Sequence, residues 1–165
     1  LWILKRRIKP AYNYWQKKSM NWILKTFKDL SASEMYAILQ LRSEVFVVEQ
    51  NCVYQDADNK DKYAWHLMGW KEEKLVAYTR LLPAGISYKE PSIGRVVTST
   101  SVRGTGAGRE LMKQSIETCY TLFGQQSIRI GAQLYLKDFY TSLGFLATGD
   151  VYLEDGIEHI EMVRP

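Results

Sequence analysis

Residues 100–120, TSVRGTGAGRELMKQSIETCY, constrain the fold more than any other part of the chain. An apolar run ending at Val96 and Val97 precedes them. Glycines stand at alternate positions 104, 106 and 108, and Leu111, Met112, Ile116, Cys119 and Leu122 follow at helical spacing. The pattern is a strand delivered into an amphipathic helix through a stretch of bare backbone. Such a junction presents unpaired N–H groups at the positive end of the helix dipole. Without Cβ atoms at Gly104, Gly106 and Gly108, an anion approaches that backbone closely, and Arg103 adds a fixed charge. The segment reads as an anion-binding loop suited to a diphosphate.

The remaining periodicities supply the elements around it. Ser31 and Glu34 form an S-x-x-E capping box, and Met35, Ile38, Leu39, Val45 and Phe46 follow at helical spacing, which predicts a first helix. Residues 51–63 (NCVYQDADNKDKY) read as a polar loop. Segments 64–70 and 74–82 read as strands joined by a tight turn at Lys71, Glu72 and Glu73, and 92–98 reads as a third strand. After the glycine-led helix come a short strand at 127–130 and a helix over 134–143 stopped by Gly144. Two strands at 147–153 and 159–163 follow, joined by Glu154, Asp155 and Gly156. Helix, three strands, helix, strand, helix and two strands predict an α/β or α+β domain with a mixed central β-sheet flanked by helices.

At 165 residues with 46% hydrophobic residues, the chain suits one domain with one full core. No run approaches eighteen apolar residues, so no membrane partner is expected. Cys52 and Cys119 lie far apart, with no C-x-x-C or histidine at ligand spacing, so the expectation is reduced thiols in a cytoplasmic protein and no metal. The net charge of +4 is unevenly divided. Residues 1–19 hold six cations (Lys5, Arg6, Arg7, Lys9, Lys17, Lys18) and no acid, and the rest carries a net −2. The basic character belongs to a tail, so nucleic acid is not an expected partner. Residues 1–19, which begin with Leu, read as a basic leader or upstream extension outside the fold, or else as a basic anchoring helix; 20–165 read as the domain.

The glycine segment has no Lys-Ser or Lys-Thr after its last glycine and does not meet G-x-G-x-x-G, so nucleotide hydrolysis and dinucleotide binding lose support. It does fit R-x-x-G-x-G, through Arg103, Gly106 and Gly108, and thirty residues on from Arg103 begins QLYLKDFYTSLGF, Gln133 to Phe145. With LQLRSEVFVVEQNCVYQDAD, IGRVV, GAQ and EDGIEHIEM, these motifs resemble the ElaA-like branch of the GCN5-related N-acetyltransferases (GNAT) over residues 21–165. The resemblance implies the GNAT acyl-CoA N-acyltransferase fold and acetyl-CoA (coenzyme A) as cosubstrate, with no metal. It further implies transfer of an acetyl group to a primary amine of a small molecule or peptide in a ternary complex. Such domains commonly pair, so a homodimer is among the expected forms. Gln133 stands where the family has Asn, and Leu136 where it has Ala.

Carried over residue by residue, the coenzyme-binding set is Val96, Val97, Thr98, Arg103, Gly104, Thr105, Gly106, Ala107, Gly108, Gln133 and Tyr140. Acyl transfer needs a neutral amine, alignment, a stabilised oxyanion and a proton for the leaving thiolate. The resemblance puts Tyr140 beside the sulfur as general acid, a role a phenol suits because it is protonated at neutral pH. Glu49, at the end of the first helix, is the candidate general base, with a solvated surface acid as the alternative. Arg42, Phe46, His66, Arg80 and His159 are acceptor-site candidates. The arginines alternatively pair with Asp56 and Asp58, and each histidine is alternatively structural. Tyr36, Trp65 and Trp70 line either the cleft or the core, and Glu154 and Asp155 either solvate a turn or flank the acceptor mouth. Two rival readings remain. Arg42, Phe46, Asp58 and Arg80 recur in similar order in the acyl-homoserine lactone synthases, which share the fold, and a coenzyme A-binding module without turnover is the other.

Overall fold

The computed structural model describes residues 19–165, so the leader expected at 1–19 lies, apart from Ser19, outside the described residues. Seven strands and three α-helices alternate as β1 (Asn21–Thr26), α1 (Ala32–Arg42), β2 (Trp65–Lys71), β3 (Lys74–Leu82), β4 (Ser92–Thr98), α2 (Ala107–Phe123), β5 (Ile128–Gln133), α3 (Lys137–Thr141), β6 (Leu146–Glu154) and β7 (Ile157–Arg164). The mixed sheet flanked by helices is the one the periodicities predict. Its strand order is β1-β2-β3-β4-β5-β7-β6.

Local chemistry sets the helix starts. The Ser31 hydroxyl accepts from the Glu34 N–H at 3.2 Å, and the Glu34 carboxylate accepts from the Ser31 N–H at 2.8 Å, the capping box read from the sequence. From Arg42 the helix continues as a wider π-wound segment, Ser43–Glu49, which carries Glu49 and Gln50 to the end of the sheet where β4 meets α2. Gly106, with φ of +91°, opens α2.

The core has two faces. Leu111, Met112, Ile116 and Cys119 of α2 are buried on one side of the sheet, where Met112, Ile116 and Cys119 join Leu81, Ile93, Ile128, Ile130, Phe145 and Met162. On the other side, Ile38 and Leu41 of α1 and Val45 beyond it pack on Met68, Tyr78 and Val97. Burying these side chains is the main force that holds the helices to the sheet.

Every strand pairing is antiparallel except β4 with β5, and those two share a single parallel pair, Ser92 with Arg129. Beyond that pair the strands part. A register shift between Tyr78 and Arg80 of β3 leaves an extra residue on β4, and Arg95 there has φ of +52°. Such a bulge bends its strand and ends the ladder with the next one, which opens a cleft in the middle of the sheet.

Two elements differ from expectation. β1 was not foreseen: Trp22, Ile23 and Leu24 run together without alternation, because this edge strand is half-buried on both faces. The single helix expected over 134–143 is a 3-10 turn at Leu134–Leu136 followed by a short α3, since Leu136 leaves helical geometry at φ −97°, ψ 5°.

Candidate active site

The glycine loop stands at the mouth of the cleft. Gly104 and Gly106 adopt left-handed backbone at φ +74° and +91°, which accounts for glycine at both. Gly108 has ordinary helical backbone, and a Cβ there meets no atom within 4 Å. Nothing in the chain's own packing requires that position to be bare. The vacant side faces outward at the first turn of a 17-residue helix, where N–H donors are unpaired and the dipole is positive. Thr105 ties the loop down by donating to the Val102 carbonyl at 2.7 Å.

Arg103 has two occupations. Its guanidinium donates to the Thr98 carbonyl at 3.3 and 3.1 Å and grips both oxygens of the Glu49 carboxylate at 2.5 and 2.9 Å. The Arg103 hydrogen bonds hold the Glu49 carboxyl below the usual range. A carboxylate so paired is a poor proton acceptor, so the contact the structure shows for Glu49 is an ion pair, where the sequence suggested a base. Both side chains are about two-fifths exposed, so the pair is worth less than about 1 kcal/mol and exchanges readily with a competing anion. The next residue, Gln50, meets Gln133: each carboxamide donates to the other at 3.2 Å. The last residue of the π-wound segment and the one after it therefore hold the loop arginine and the amide expected at the pantetheine.

Tyr140, on α3, lies in the core cluster with Ile130, Ala132 and Met162. It is 5% exposed and packed edge-on against Phe139 and Phe145, with ring centroids 5.1 and 6.1 Å away. Burial, with the nearby Tyr135 phenol, pushes its hydroxyl well above the usual phenol range. The proton stays on until a stronger base appears close by.

Three acceptor-site expectations are corrected by burial. Arg42 is fully buried. Its Nε donates to the Asp56 carboxylate at 2.7 Å, one terminal nitrogen donates to Asp61 at 2.8 Å, and the other donates to the Asp56 carbonyl at 3.1 Å. Arg80, also buried, binds Asp58 through two nitrogens at 2.6 and 2.8 Å and Asp61 at 3.0 Å. His66 is inaccessible between the Tyr78 hydroxyl at 2.8 Å and the Asp61 carbonyl at 3.0 Å, and desolvation lowers its pKa. These groups pin the 51–63 loop, whose Asp61 is buried despite the polar sequence around it, and none of them reaches an acceptor. The order of Arg42, Asp58 and Arg80 that suggests a lactone synthase is thus an internal ion-pair network.

The other expected residues are distributed as follows. Phe46 packs half-buried behind α1, and Tyr36 is exposed. His159 sits on β7 directly across from Gln133, its ring stacked on Tyr152 at 5.8 Å. Hydrogen bonds bring together Thr98, Arg103 and Glu49, with Gln50, next to Glu49, on Gln133; Val96 and Val97 precede Thr98 on β4, and Val97 is buried in the core. Gln50, Tyr88 and Tyr152 were not foreseen, since no local pattern marks them. Among the described residues no group of His, Cys, Asp and Glu has the arrangement of a metal site, and no helix is long and apolar enough to cross a membrane.

The model of the acetyltransferase (GNAT) domain family matches residues 25–164. The chain belongs to the GNAT family. Within GNAT it is ElaA-like: it is 46% identical over 138 residues to protein ElaA of Escherichia coli, an alignment that covers 82% of this chain and 90% of that protein. The crystal structure of Escherichia coli ElaA superposes with a TM-score of 0.83 at 43% identity, covering 88% of this chain and 99% of ElaA. An acyl-CoA N-acyltransferase from Pseudomonas aeruginosa superposes with a TM-score of 0.86 at 43% identity, covering 89% of this chain and all of that one. GNAT membership makes the chain an acyl-CoA-dependent acyltransferase.

Proposed function

We propose that this GNAT domain is an N-acetyltransferase that binds acetyl-CoA and a primary amine together and transfers the acetyl group by direct attack. The observation that carries the reading is Gly108, a residue kept without a side chain in ordinary backbone and in open space, at a helix N-terminus beside Arg103. That combination fits an external diphosphate. The thioester supplies the activated carbonyl. Arg103 and the α2 N–H groups would hold the diphosphate, Gln133 an amide of the pantetheine, and the parted end of β4 at Val96, Val97 and Thr98 would align the acyl group through backbone N–H groups. Tyr140, kept protonated by burial, would deliver its proton to the departing sulfur.

Calorimetric titration with acetyl-CoA tests the binding step. Gly108→Glu fits sterically, so a loss of affinity reports on the ligand and not on misfolding. A carboxylate about 6 Å from a phosphate at an effective dielectric near 20 repels it by about 3 kcal/mol, which is ~100-fold in Kd. Unchanged affinity in that variant, or no binding by the native chain, overturns the reading. Tyr140→Phe should retain affinity and lose about 10²- to 10⁴-fold in kcat.

A further inference from the structure

Past the point where β4 and β5 separate, β5 carries a second bare position. A Cβ on Gly131 would stand 3.1 Å from the Tyr88 hydroxyl and 3.1 Å from the Tyr152 hydroxyl. The two phenols come from different elements, Tyr88 from the connection between β3 and β4 and Tyr152 from β6, and converge on one notch in the strand. Neither hydroxyl has a hydrogen-bond partner among the described residues.

Both rings are fixed. Tyr88 lies under the Arg129 guanidinium at 5.7 Å, and Arg129 is held by Glu90 at 2.9 Å and Glu161 at 2.7 Å. Tyr152 stacks on His159. Burial, and then the neighbouring Tyr152, Glu161 and Glu154, push Tyr88 up to about 12, and Tyr152 is raised by burial, Glu154 and Glu161. Both phenols therefore remain neutral hydroxyls. The charged groups around them are Glu90, Glu154 and Glu161 against Arg129 and the exposed Lys89, an excess of one negative charge. Arg129 is already paired twice, so this guanidinium is not on offer to a carboxylate ligand, and Lys89 is the other cation nearby.

His159 completes the set. Its Nδ1 is 2.9 Å from the Ile157 carbonyl oxygen, which only accepts, so Nδ1 carries a hydrogen, and in the neutral imidazole Nε2 is then the nitrogen with the lone pair. Gln133, the residue assigned to the pantetheine, lies directly across the strand pair from His159 and two residues along from Gly131 on the same face of β5. The place of His159 across from Gln133 and against Tyr152 puts a proton acceptor beside the notch.

We propose that the notch at Gly131 is the acceptor subsite, that it takes a small aliphatic diamine, and that His159 accepts the proton of the attacking ammonium. This rests on the acetyl-transfer reading. The imidazole Nε2 takes one proton from R–NH3+, and the freed lone pair forms the C–N bond to the thioester carbonyl carbon as the C–S bond breaks. The thiolate takes the Tyr140 hydroxyl proton, the amide nitrogen returns its surplus proton to the Tyr140 oxygen, and His159 releases its proton to water. The second ammonium of the diamine is held by the Tyr88 and Tyr152 oxygens within the field of Glu154 and Glu161.

The test is thiol release from acetyl-CoA with two probes of equal length, 1,4-diaminobutane and 4-aminobutyrate, alongside coenzyme A titration of every variant. The diamine should exceed the amino acid at least tenfold in kcat/KM. Tyr152→Phe, which keeps the ring and removes the oxygen, should raise KM for the diamine severalfold with kcat held. His159→Gln should lower kcat at least tenfold, and the loss should shrink as pH rises and the amine deprotonates unaided. Coenzyme A affinity should be unchanged in both variants. Equal or better use of aminobutyrate, an unaltered KM in Tyr152→Phe, or an unaltered kcat in His159→Gln overturns the inference. Turnover of neither probe by a chain that binds coenzyme A overturns it too and leaves the cosubstrate reading intact, whereas absent coenzyme A binding removes that reading first.

Discussion

Replacing Arg42 by Met removes the centre of the buried network while nearly preserving side-chain length. Three charge-assisted hydrogen bonds disappear, to the Asp56 carboxylate and carbonyl and to Asp61. Removing one partner of a buried ion pair costs about 3–5 kcal/mol. Here the lower end applies, because Asp56 keeps Arg95 at 2.7 Å and Asp61 keeps Arg80 at 3.0 Å, so neither carboxylate is left alone. With m near 2 kcal/mol/M, a loss of about 3 kcal/mol moves the urea midpoint down by about 1.5 M, readable by tryptophan fluorescence. Burial alone raises the Asp61 pKa, but the Arg42 hydrogen bond and charge, with Arg80, carry it below the ordinary value. A depressed folded-state pKa stabilises above the unfolded value and loses that contribution as pH falls through the folded one. The deficit of Arg42→Met should therefore be largest near neutrality and shrink below about pH 4. A loss under about 1 kcal/mol, or one identical at pH 7 and pH 3, would refute the network as the anchor of the 51–63 loop.

His66 is buried and its pKa depressed, so the unfolded chain binds the proton first. Stability should fall as pH drops through about 6.5, by up to about 1.4 kcal/mol per pH unit, and urea midpoints of His66→Asn should lack that component. Glu49→Gln should change the urea midpoint by the equivalent of less than about 1 kcal/mol and tighten coenzyme A binding in calorimetry, because Arg103 loses its competing anion. A weaker complex would show that Glu49 supports the ligand site directly. Gly69→Ala would place a Cβ 2.6 Å from the Met20 sulfur and 2.7 Å from Trp22, so a thermal melt should reveal a loss of about 1–3 kcal/mol.

What could be read in advance was what local geometry dictates. Gly104 and Gly106 need positive φ, Ser31 and Glu34 cap their own helix, and Asp155-Gly156 turns a hairpin with φ of +52° and +81°, so each declares itself within a few residues. The Arg103 loop and Tyr140 were singled out through short motifs that resemble the family's, and their roles in binding and proton transfer are proposals. The choice of ion-pair partners was not local: Arg42 finds Asp61 nineteen residues away, and a polar 51–63 segment gives no sign that Asp61 is buried. Arg103 and Glu49 are separated by fifty-four residues, so nothing local showed that the candidate base pairs with the loop arginine. Tyr88, Gly131 and Tyr152 come from three elements and share no spacing. β1 escaped because an edge strand buried equally on both faces does not alternate.

The single pairing between β4 and β5 gives this seven-stranded sheet two inner rims besides its two outer ones. The outer rims face solvent, where β6 shows Leu146, Val151 and Leu153, while the inner rims are recessed between packed helices. A recessed rim is hard for another protein's strand to reach, yet open to a narrow, amide-bearing chain able to hydrogen-bond to the backbone on both sides. Amide hydrogen exchange should therefore record occupancy directly. With the cleft empty, the cleft-facing N–H groups of β4 and β5 beyond Ser92 and Arg129 should exchange as quickly as those of an outer strand. With the cleft filled, they should slow toward the rates of the sheet's centre.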